Sequence, residues 1–93
     1  DGLLAEAPKV YEERLDIRVE DQRGVMERVR AAVRTMAGVD VYEIDGVDVR
    51  FKDGGRVLVR PSNTEPLIRV KLEAREPSQL AQLKGRLGSL GLA

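Results

Sequence analysis

The chain contains neither cysteine nor histidine, and these two absences exclude several kinds of chemistry. Without cysteine there is no disulfide and no thiolate nucleophile, and without histidine there is no imidazole base. The usual zinc ligands are therefore missing together. No apolar stretch approaches the roughly 20 residues of a membrane span, and no signal peptide is evident. We expect a cytoplasmic location, with which the lack of cysteine is compatible.

Aromatic residues and net charge are also scarce. The chain has one phenylalanine, two tyrosines and no tryptophan, so its core must be aliphatic. Sixteen basic and sixteen acidic residues cancel. Nucleic-acid binders gain affinity by neutralising phosphates, and single-strand binders stack bases on aromatic rings, so this composition argues against a nucleic-acid partner. The polybasic cluster expected at an anionic membrane surface is missing as well.

What remains is a short chain of ordinary apolar content. With 93 residues, of which 42% are hydrophobic, it is expected to form one small packed domain. It begins with Asp1 rather than methionine, which suggests that it was cut from a longer protein. Residues 1–14 show no sustained period and contain Pro8, so we interpret them as a lead-in or interdomain linker. Residues 15–93 are interpreted as the domain.

Hydrophobic periodicity predicts seven elements in the order β-α-β-β-β-β-α. Asp21 is expected to cap the first helix, Gly38 to end it, and Pro77 to start the second helix. Asp45-Gly46 predicts a two-residue hairpin turn between the second and third strands. The strands are predicted within residues 14–20, 39–51 (the hairpin), 56–60 and 67–74, and the helices within 21–38 and 76–91.

This order predicts an α+β fold, in which two helices pack on one face of a four- to five-stranded antiparallel sheet. Apolar residues alternate along each strand and are expected to face the helices. The residues between them along each strand are mostly charged and point to the opposite face of the sheet. That face is either solvated or turned toward another domain.

The segment RPSNTEP (Arg60–Pro66) concentrates hydrogen-bonding groups between two strands. Its two prolines fix φ and restrict the residue before each, which makes the connection stiff. Between them stand two hydroxyls, a side-chain amide and several backbone N–H groups, contributed by Ser62, Asn63 and Thr64. A stiff loop can turn successive N–H groups into a concave nest for an anion, and the guanidinium of Arg60 matches two phosphate oxygens.

The same residue types also make ordinary turns. Arg60 could pair with a surface acid for less than about 1 kcal/mol. From the residues alone, a phosphate site and a plain turn both remain open.

The longer segment RPSNTEPLIRV resembles the phosphate-binding loop of the α-D-phosphohexomutases, the family of phosphomannomutase, phosphoglucomutase and phosphoglucosamine mutase. The family pattern is Arg-x-Ser-Gly/Asn-Thr-Glu-Pro, in the last of four domains. The resemblance to this domain of the family extends upstream of the loop and runs from about Tyr11 onward. It includes the segments DGVDVRF, RVLVR and YEERLDIRVE. The residues that match the loop pattern are Arg60, Ser62, Asn63, Thr64, Glu65 and Pro66.

The resemblance implies the C-terminal domain of an enzyme, with a fold like that of the TATA-binding protein. Family members move phosphate between the 1- and 6-positions of a hexose, using a phosphoserine, Mg²⁺ and a hexose 1,6-bisphosphate intermediate. The catalytic serine and the Mg²⁺ loop lie in other domains. We therefore expect no catalytic residue and no metal ligand in this chain, and no activity from it alone. Its partners would be a hexose phosphate and the other domains of the parent chain.

The resemblance also implies roles for individual residues. The loop would clamp the phosphate that is not transferred, with Ser62 binding substrate rather than serving as the phosphoserine. Asp45 to Asp48 superficially resembles an acidic metal loop, but its spacing better fits a hairpin turn. Phosphate-binding residues are expected to be Arg60, Ser62, Asn63, Thr64 and, from the next strand, Arg69. Residues expected to orient the loop are Pro61, Glu65 and Pro66.

The function and the sugar both remain open at the level of sequence. A free-standing module that senses a phosphorylated metabolite, or an interaction domain that uses the charged sheet face, is an alternative to a mutase domain. The sugar could be mannose, glucose or glucosamine, and Asn63, where many relatives have glycine, favours the phosphomannomutase/phosphoglucomutase branch.

The resemblance also implies a motion. The domain is expected to swing about a hinge in the lead-in before Leu15 as substrate binds.

Overall fold

The computed structural model describes residues 10–43 and 45–92, which form five strands and two helices. The strands are β1 (Tyr11–Arg18), β2 (Val39–Tyr42), β3 (Val47–Phe51), β4 (Arg56–Pro61) and β5 (Leu67–Ala74). The helices are α1 (Gln22–Arg34) and α2 (Pro77–Gly85). The order along the chain is β-α-β-β-β-β-α, as the periodicity predicts.

The five strands form one antiparallel sheet in the spatial order β1-β5-β4-β3-β2. The first strand of the chain therefore lies at an edge, beside the last strand. The predicted α+β class is confirmed, and the sheet has the larger of the two expected strand numbers.

The core between the sheet and the helices is aliphatic. Alternate residues of β3, β4 and β5 point into it, together with the apolar stripes of both helices. Val29, Val49, Val57 and Leu72 are completely buried. Each buried side chain of this size stabilises the fold by roughly 1.5–3 kcal/mol. The charged residues that alternate with these core residues lie on the outer face, which is the face of the sheet opposite the helices.

Both helices begin as predicted but end earlier than their apolar stripes. Asp21 caps α1, because its Oδ1 accepts the Gly24 N–H at 3.0 Å. Thr35 ends the helix, where its hydroxyl donates to the Ala32 carbonyl at 2.7 Å, so Gly38 lies in the turn that follows. Pro77 starts α2. Neither helix is long and apolar enough to cross a membrane.

Strand β1 is displaced from its predicted position at residues 14–20. It begins at Tyr11, opposite Ala74, and ends at Arg18. The sequence hides this start because Glu13 points inward, where its carboxylate lies 2.8 Å from the ammonium of Lys84. The ladder stops after Arg18 because the next partner would be Pro66, which has no N–H. Residues 11–14 thus belong to the sheet, while residues 1–9 of the predicted linker lie outside the described residues.

The connection between β2 and β3 is also longer than predicted. β2 ends at Tyr42 and β3 begins at Val47, so Asp45-Gly46 is not a two-residue turn. Gly46 has a φ of 149°, and its backbone packs against the backbone oxygen of Val59. This close approach to a neighbouring strand, rather than a tight turn, explains the glycine.

Candidate phosphate-binding site

The RPSNTEP loop (Arg60–Pro66) joins β4 to β5, two adjacent strands inside the sheet. Two backbone hydrogen bonds close it. The Ser62 N–H donates to the Leu67 carbonyl at 3.0 Å, and the Leu67 N–H donates to the Glu65 carbonyl at 2.8 Å. A third bond, from the Val19 N–H to the Pro66 carbonyl at 3.0 Å, ties the loop to the end of β1. The loop is therefore a fixed bend at one end of the sheet.

Two backbone N–H groups of the loop converge on one hydroxyl oxygen. Ser62 Oγ accepts from the N–H of Thr64 at 3.3 Å and from that of Glu65 at 3.2 Å. The Thr64 hydroxyl oxygen lies 3.4 Å from the same atom. These N···O distances exceed the usual 2.9–3.0 Å, so the bonds are weak. An oxyanion accepts shorter and stronger bonds from such donors.

The loop carbonyls are bound from the opposite side by one side chain, at the start of α1. Gln22 Nε2 donates to the carbonyl oxygens of Ser62 (2.9 Å), Glu65 (3.0 Å) and Leu67 (2.8 Å). The sequence gives no signal for this contact, because Gln22 is 40 or more residues from its acceptors.

Arg60 lies on the outer face and is exposed. It forms no ion pair with any residue that the structure describes. The residue opposite it on the adjacent strand β5 is Arg69. The guanidinium of Arg69 lies 3.5 Å from the Asp16 carboxylate. Like charges directly opposite each other in a sheet are destabilising. An anion held between them would relieve that repulsion.

Four basic side chains surround a cleft on the outer face beside the loop. Its volume is about 470 Å³, and the side chain of Leu58 forms part of its wall. Asp16 is the acidic residue among its lining residues. The basic residues of this outer cleft are Arg14, Arg60, Arg69 and Lys71. Lys71 is already held by Glu73 at 3.1 Å, so its charge is partly neutralised.

The other predicted loop residues lie where the sequence places them. Asn63 and Thr64 are exposed at the tip. The carboxylate of Glu65 is 4.0 Å from the guanidinium of Arg18, both groups being well exposed, so this ion pair is weak. Pro61 ends β4, and Pro66 supplies the carbonyl that Val19 binds.

Asp48 does not form a metal site with Asp45. Both of its carboxylate oxygens accept from Arg56, at 2.9 Å each, and Arg50 donates to Oδ2 at 3.2 Å. Burial acts to raise the pKa of Asp48, but hydrogen bonds and charge from Arg56 and Arg50 outweigh it and lower the pKa. Within residues 10–43 and 45–92, no group of three or more acidic side chains is placed to hold a metal ion. The Mg²⁺ that the resemblance implies does not fit this part of the chain.

The fold and the site define an α+β domain whose loop carries several donors and begins with a guanidinium that has no ion-pair partner within residues 10–43 and 45–92. Residues 5–87 match the family model described as phosphoglucomutase/phosphomannomutase, C-terminal domain. The chain therefore belongs to the phosphoglucomutase/phosphomannomutase family, as a representative of its C-terminal domain.

Similar proteins agree with this assignment. The probable phosphoglucosamine mutase of Methanopyrus kandleri is 42% identical over 84 residues, which are 88% of this chain and 18% of the relative. The phosphoglucosamine mutase of Oceanobacillus iheyensis is 39% identical over 71% of this chain and 16% of its own length. A crystal structure of a phosphoglucomutase/phosphomannomutase family protein from Burkholderia thailandensis superposes with a TM-score of 0.71 and 26% identity, over 96% of this chain and 19% of that one. The chain thus spans less than a fifth of the length of these relatives.

Proposed function

We propose that this chain is the substrate-phosphate-binding domain of a phosphohexomutase, and that the RPSNTEP loop clamps the phosphate that is not transferred. One observation carries the proposal. Arg60 is exposed, opposes another arginine and has no acidic partner among the described residues, and it begins the loop that offers N–H and hydroxyl donors. A dianionic phosphate has acceptor oxygens for all of these groups.

The parent enzyme would interconvert hexose 1-phosphate and hexose 6-phosphate, an isomerase reaction. Binding one phosphate at a distance from the reacting group converts binding energy into positioning of the other end of the sugar. A clamp that contacts phosphate and ignores the sugar serves both orientations of the substrate. The phosphoserine and the Mg²⁺ are assigned to other domains of the parent, so the chain alone is expected to be inactive.

The sugar is the finer part of the proposal. Both curated relatives described above carry the name phosphoglucosamine mutase, so they do not support the preference for mannose or glucose drawn from Asn63. We assign glucosamine phosphate as the preferred substrate of the parent. Comparing kcat/KM of the parent enzyme on the 1-phosphates of glucosamine, glucose and mannose tests this, and a clear preference for either other sugar overturns it.

An NMR titration of the 93-residue chain with inorganic phosphate and with glucose 1-phosphate tests the clamp. We expect amide shifts concentrated at residues 60–65 and a Kd on the order of millimolar, since one clamp makes few contacts. Arg60→Ala should abolish these shifts. Arg34→Ala is the matched control, because Arg34 is exposed on α1 and lies outside the outer cleft.

Other results point to other functions. Shifts spread over Arg50, Lys52 and Lys71 would indicate diffuse electrostatics and an interaction surface. Tight phosphate binding together with an inactive parent would favour a regulatory module. If Arg60→Ala unfolds the domain, the arginine is structural and the clamp is rejected unless Arg60→Gln folds and loses binding.

A further inference from the structure

We infer that Gln22 is a positioning residue of the phosphate clamp: its amide holds the loop carbonyls against α1, so that the loop presents donors to the anion. The inference rests on the proposed function, since it names a residue that shapes the same site. It differs from the residues of the RPSNTEP loop because Gln22 lies on another element and is not expected to contact the phosphate.

One nitrogen atom of the Gln22 side chain contacts both ends of the loop. Gln22 Nε2 is 2.9 Å from the Ser62 carbonyl oxygen, 3.0 Å from that of Glu65 and 2.8 Å from that of Leu67. The amide has only two hydrogens, so at least one is shared between acceptors. The side chain thereby holds together the residues that enter and leave the tip of the loop.

The direction of the carbonyls fixes the direction of the N–H groups. The described chain has no cis peptide bond, and in a trans peptide the C=O and the following N–H point in opposite directions. Because the Ser62 carbonyl points to Gln22, the N–H of Asn63 points away from α1. The carbonyl of Glu65 is followed by Pro66, which has no N–H to orient.

The same contacts keep acceptors away from the site. A carbonyl oxygen that faced the phosphate would repel it. A carbonyl in this half-buried region that lost its hydrogen-bond donor would destabilise the loop. An apolar residue at position 22 would leave the Ser62 carbonyl without a donor among the described residues, whereas the Glu65 and Leu67 carbonyls would keep the backbone N–H groups of Leu67 and Ser62. The glutamine binds all three without adding a charge.

The start of α1 is itself held in place. Asp21 caps the helix through the Gly24 N–H, and its carbonyl accepts the Val25 N–H at 3.0 Å. The bond between the Val19 N–H and the Pro66 carbonyl fixes the chain just before the helix. Gln22 therefore extends from a helix start that is itself held by hydrogen bonds.

Gln22→Met tests the inference, because methionine has nearly the same length and shape but no donor. The control is Gln82→Met, a substitution at an exposed glutamine of α2 that makes no side-chain hydrogen bond within the described residues. Three quantities are measured for each variant of the 93-residue chain: the Kd for inorganic phosphate, stability in urea, and the hydrogen-exchange rates of the Ser62 and Leu67 amides, whose bonds close the loop.

We expect Gln22→Met to weaken phosphate binding by about threefold to tenfold and to speed exchange at the loop amides, while exchange in the core strands stays unchanged. Gln82→Met should match the wild type. Gln22→Lys, which restores a long donor, should recover the loop protection. If Gln22→Met does not fold, Gln22→Asn replaces it, since its amide falls one methylene short of the carbonyls and should show the same losses.

The outcomes separate the inference from the proposed function. If the wild type binds phosphate and Gln22→Met (or Gln22→Asn) binds it equally well, Gln22 is not a positioning residue and the clamp stands. If the wild type shows no phosphate binding at residues 60–65, the clamp itself is wrong. A fall in stability with an unchanged Kd assigns Gln22 a purely structural role and overturns the inference.

Discussion

At the scale of single residues, the site depends on side chains whose surroundings are set by other strands. Arg60 lies between two clefts, one beside Arg69 and one beside Gly46. A Cβ built on Gly46 would contact the Val59 backbone oxygen and lie 2.9 Å from Arg60 Cγ. The glycine therefore makes room for the stem of the arginine that we assign to the phosphate.

Arg60→Lys in the parent enzyme is predicted to lower kcat/KM by roughly 10- to 100-fold. Lysine keeps the charge but loses the planar fork, and a hydrogen bond to a charged group contributes about 1.5–3 kcal/mol. Steady-state kinetics on the hexose phosphate measures this. Arg34→Lys should leave the kinetics unchanged, and an equal effect of both substitutions would count against a special role for Arg60.

Gly46→Ala is predicted to destabilise the domain by about 1–3 kcal/mol, because a φ of 149° is unfavourable for alanine and the new methyl group meets the neighbouring strand. Urea unfolding measures the change. The control is Gly85→Ala at the end of α2, where a Cβ has no atom within 4 Å. That control should be neutral or slightly stabilising, and a loss equal to that of Gly46→Ala would show that the close approach does not matter.

At the scale of elements, the outer face is joined by ion pairs that cross the strands. Arg56 on β4 binds Asp48 on β3 through two hydrogen bonds and approaches Glu73 on β5 at 3.4 Å. Asp48 is only 8% exposed, an unusual degree of burial for a carboxylate. This cluster links three central strands on the face that the helices leave open.

The Asp48 cluster predicts a loss of stability in acid. The folded-state pKa of Asp48 is lowered, so its contribution is fully present above the ordinary value of 3.8 and is lost as the pH falls through the folded-state pKa. Urea unfolding at a series of pH values should show a decline below about pH 4 that is smaller in Asp48→Asn. Asp40→Asn, at an exposed position on β2, should keep the wild-type decline. Identical pH profiles for Asp48→Asn and the wild type would contradict this account.

The sequence predicts the strands and helices well where the pattern of apolar residues is local. It misses features that depend on a contact with a distant element. Alternation in residues 56–60 and 67–74 places β4 and β5 correctly, because their inward residues are all apolar. The start of β1 is missed because the charge of Glu13 is neutralised by Lys84 on α2. The loop motif is recognised from its own residues, whereas Gln22 has no local signal, since its acceptors lie on a distant turn.

At the scale of the whole molecule, stability depends on a thin aliphatic core between one sheet and two helices. Domains are typically stable by only about 5–15 kcal/mol, so the loss of one buried side chain is a large fraction of the total. The core residues of the central strands are valines, isoleucine and leucine, packed against both helices.

Val57→Ala is predicted to lower the free energy of unfolding by about 2–3 kcal/mol, because Val57 is 0% exposed and its two methyl groups leave a cavity. The matched control is Val10→Ala, since Val10 is 59% exposed and should change stability by about 0.5 kcal/mol or less. Urea or thermal unfolding distinguishes them. Similar losses for the two would mean that the core relaxes around the missing methyl groups.

If the domain swings as substrate binds, the pairing of β1 with β5 sets the distance between the hinge and the loop. Tyr11 stands opposite Ala74 at one end of the sheet, and Arg18 stands opposite Leu67, beside the loop, at the other. Eight residues of strand span about 25 Å. A rotation of about 15° around the Tyr11 end would therefore sweep the loop through about 6–7 Å, roughly the width of a sugar ring. With a hinge in the lead-in before Leu15, a slight change of angle there would become a displacement of several ångströms at the loop.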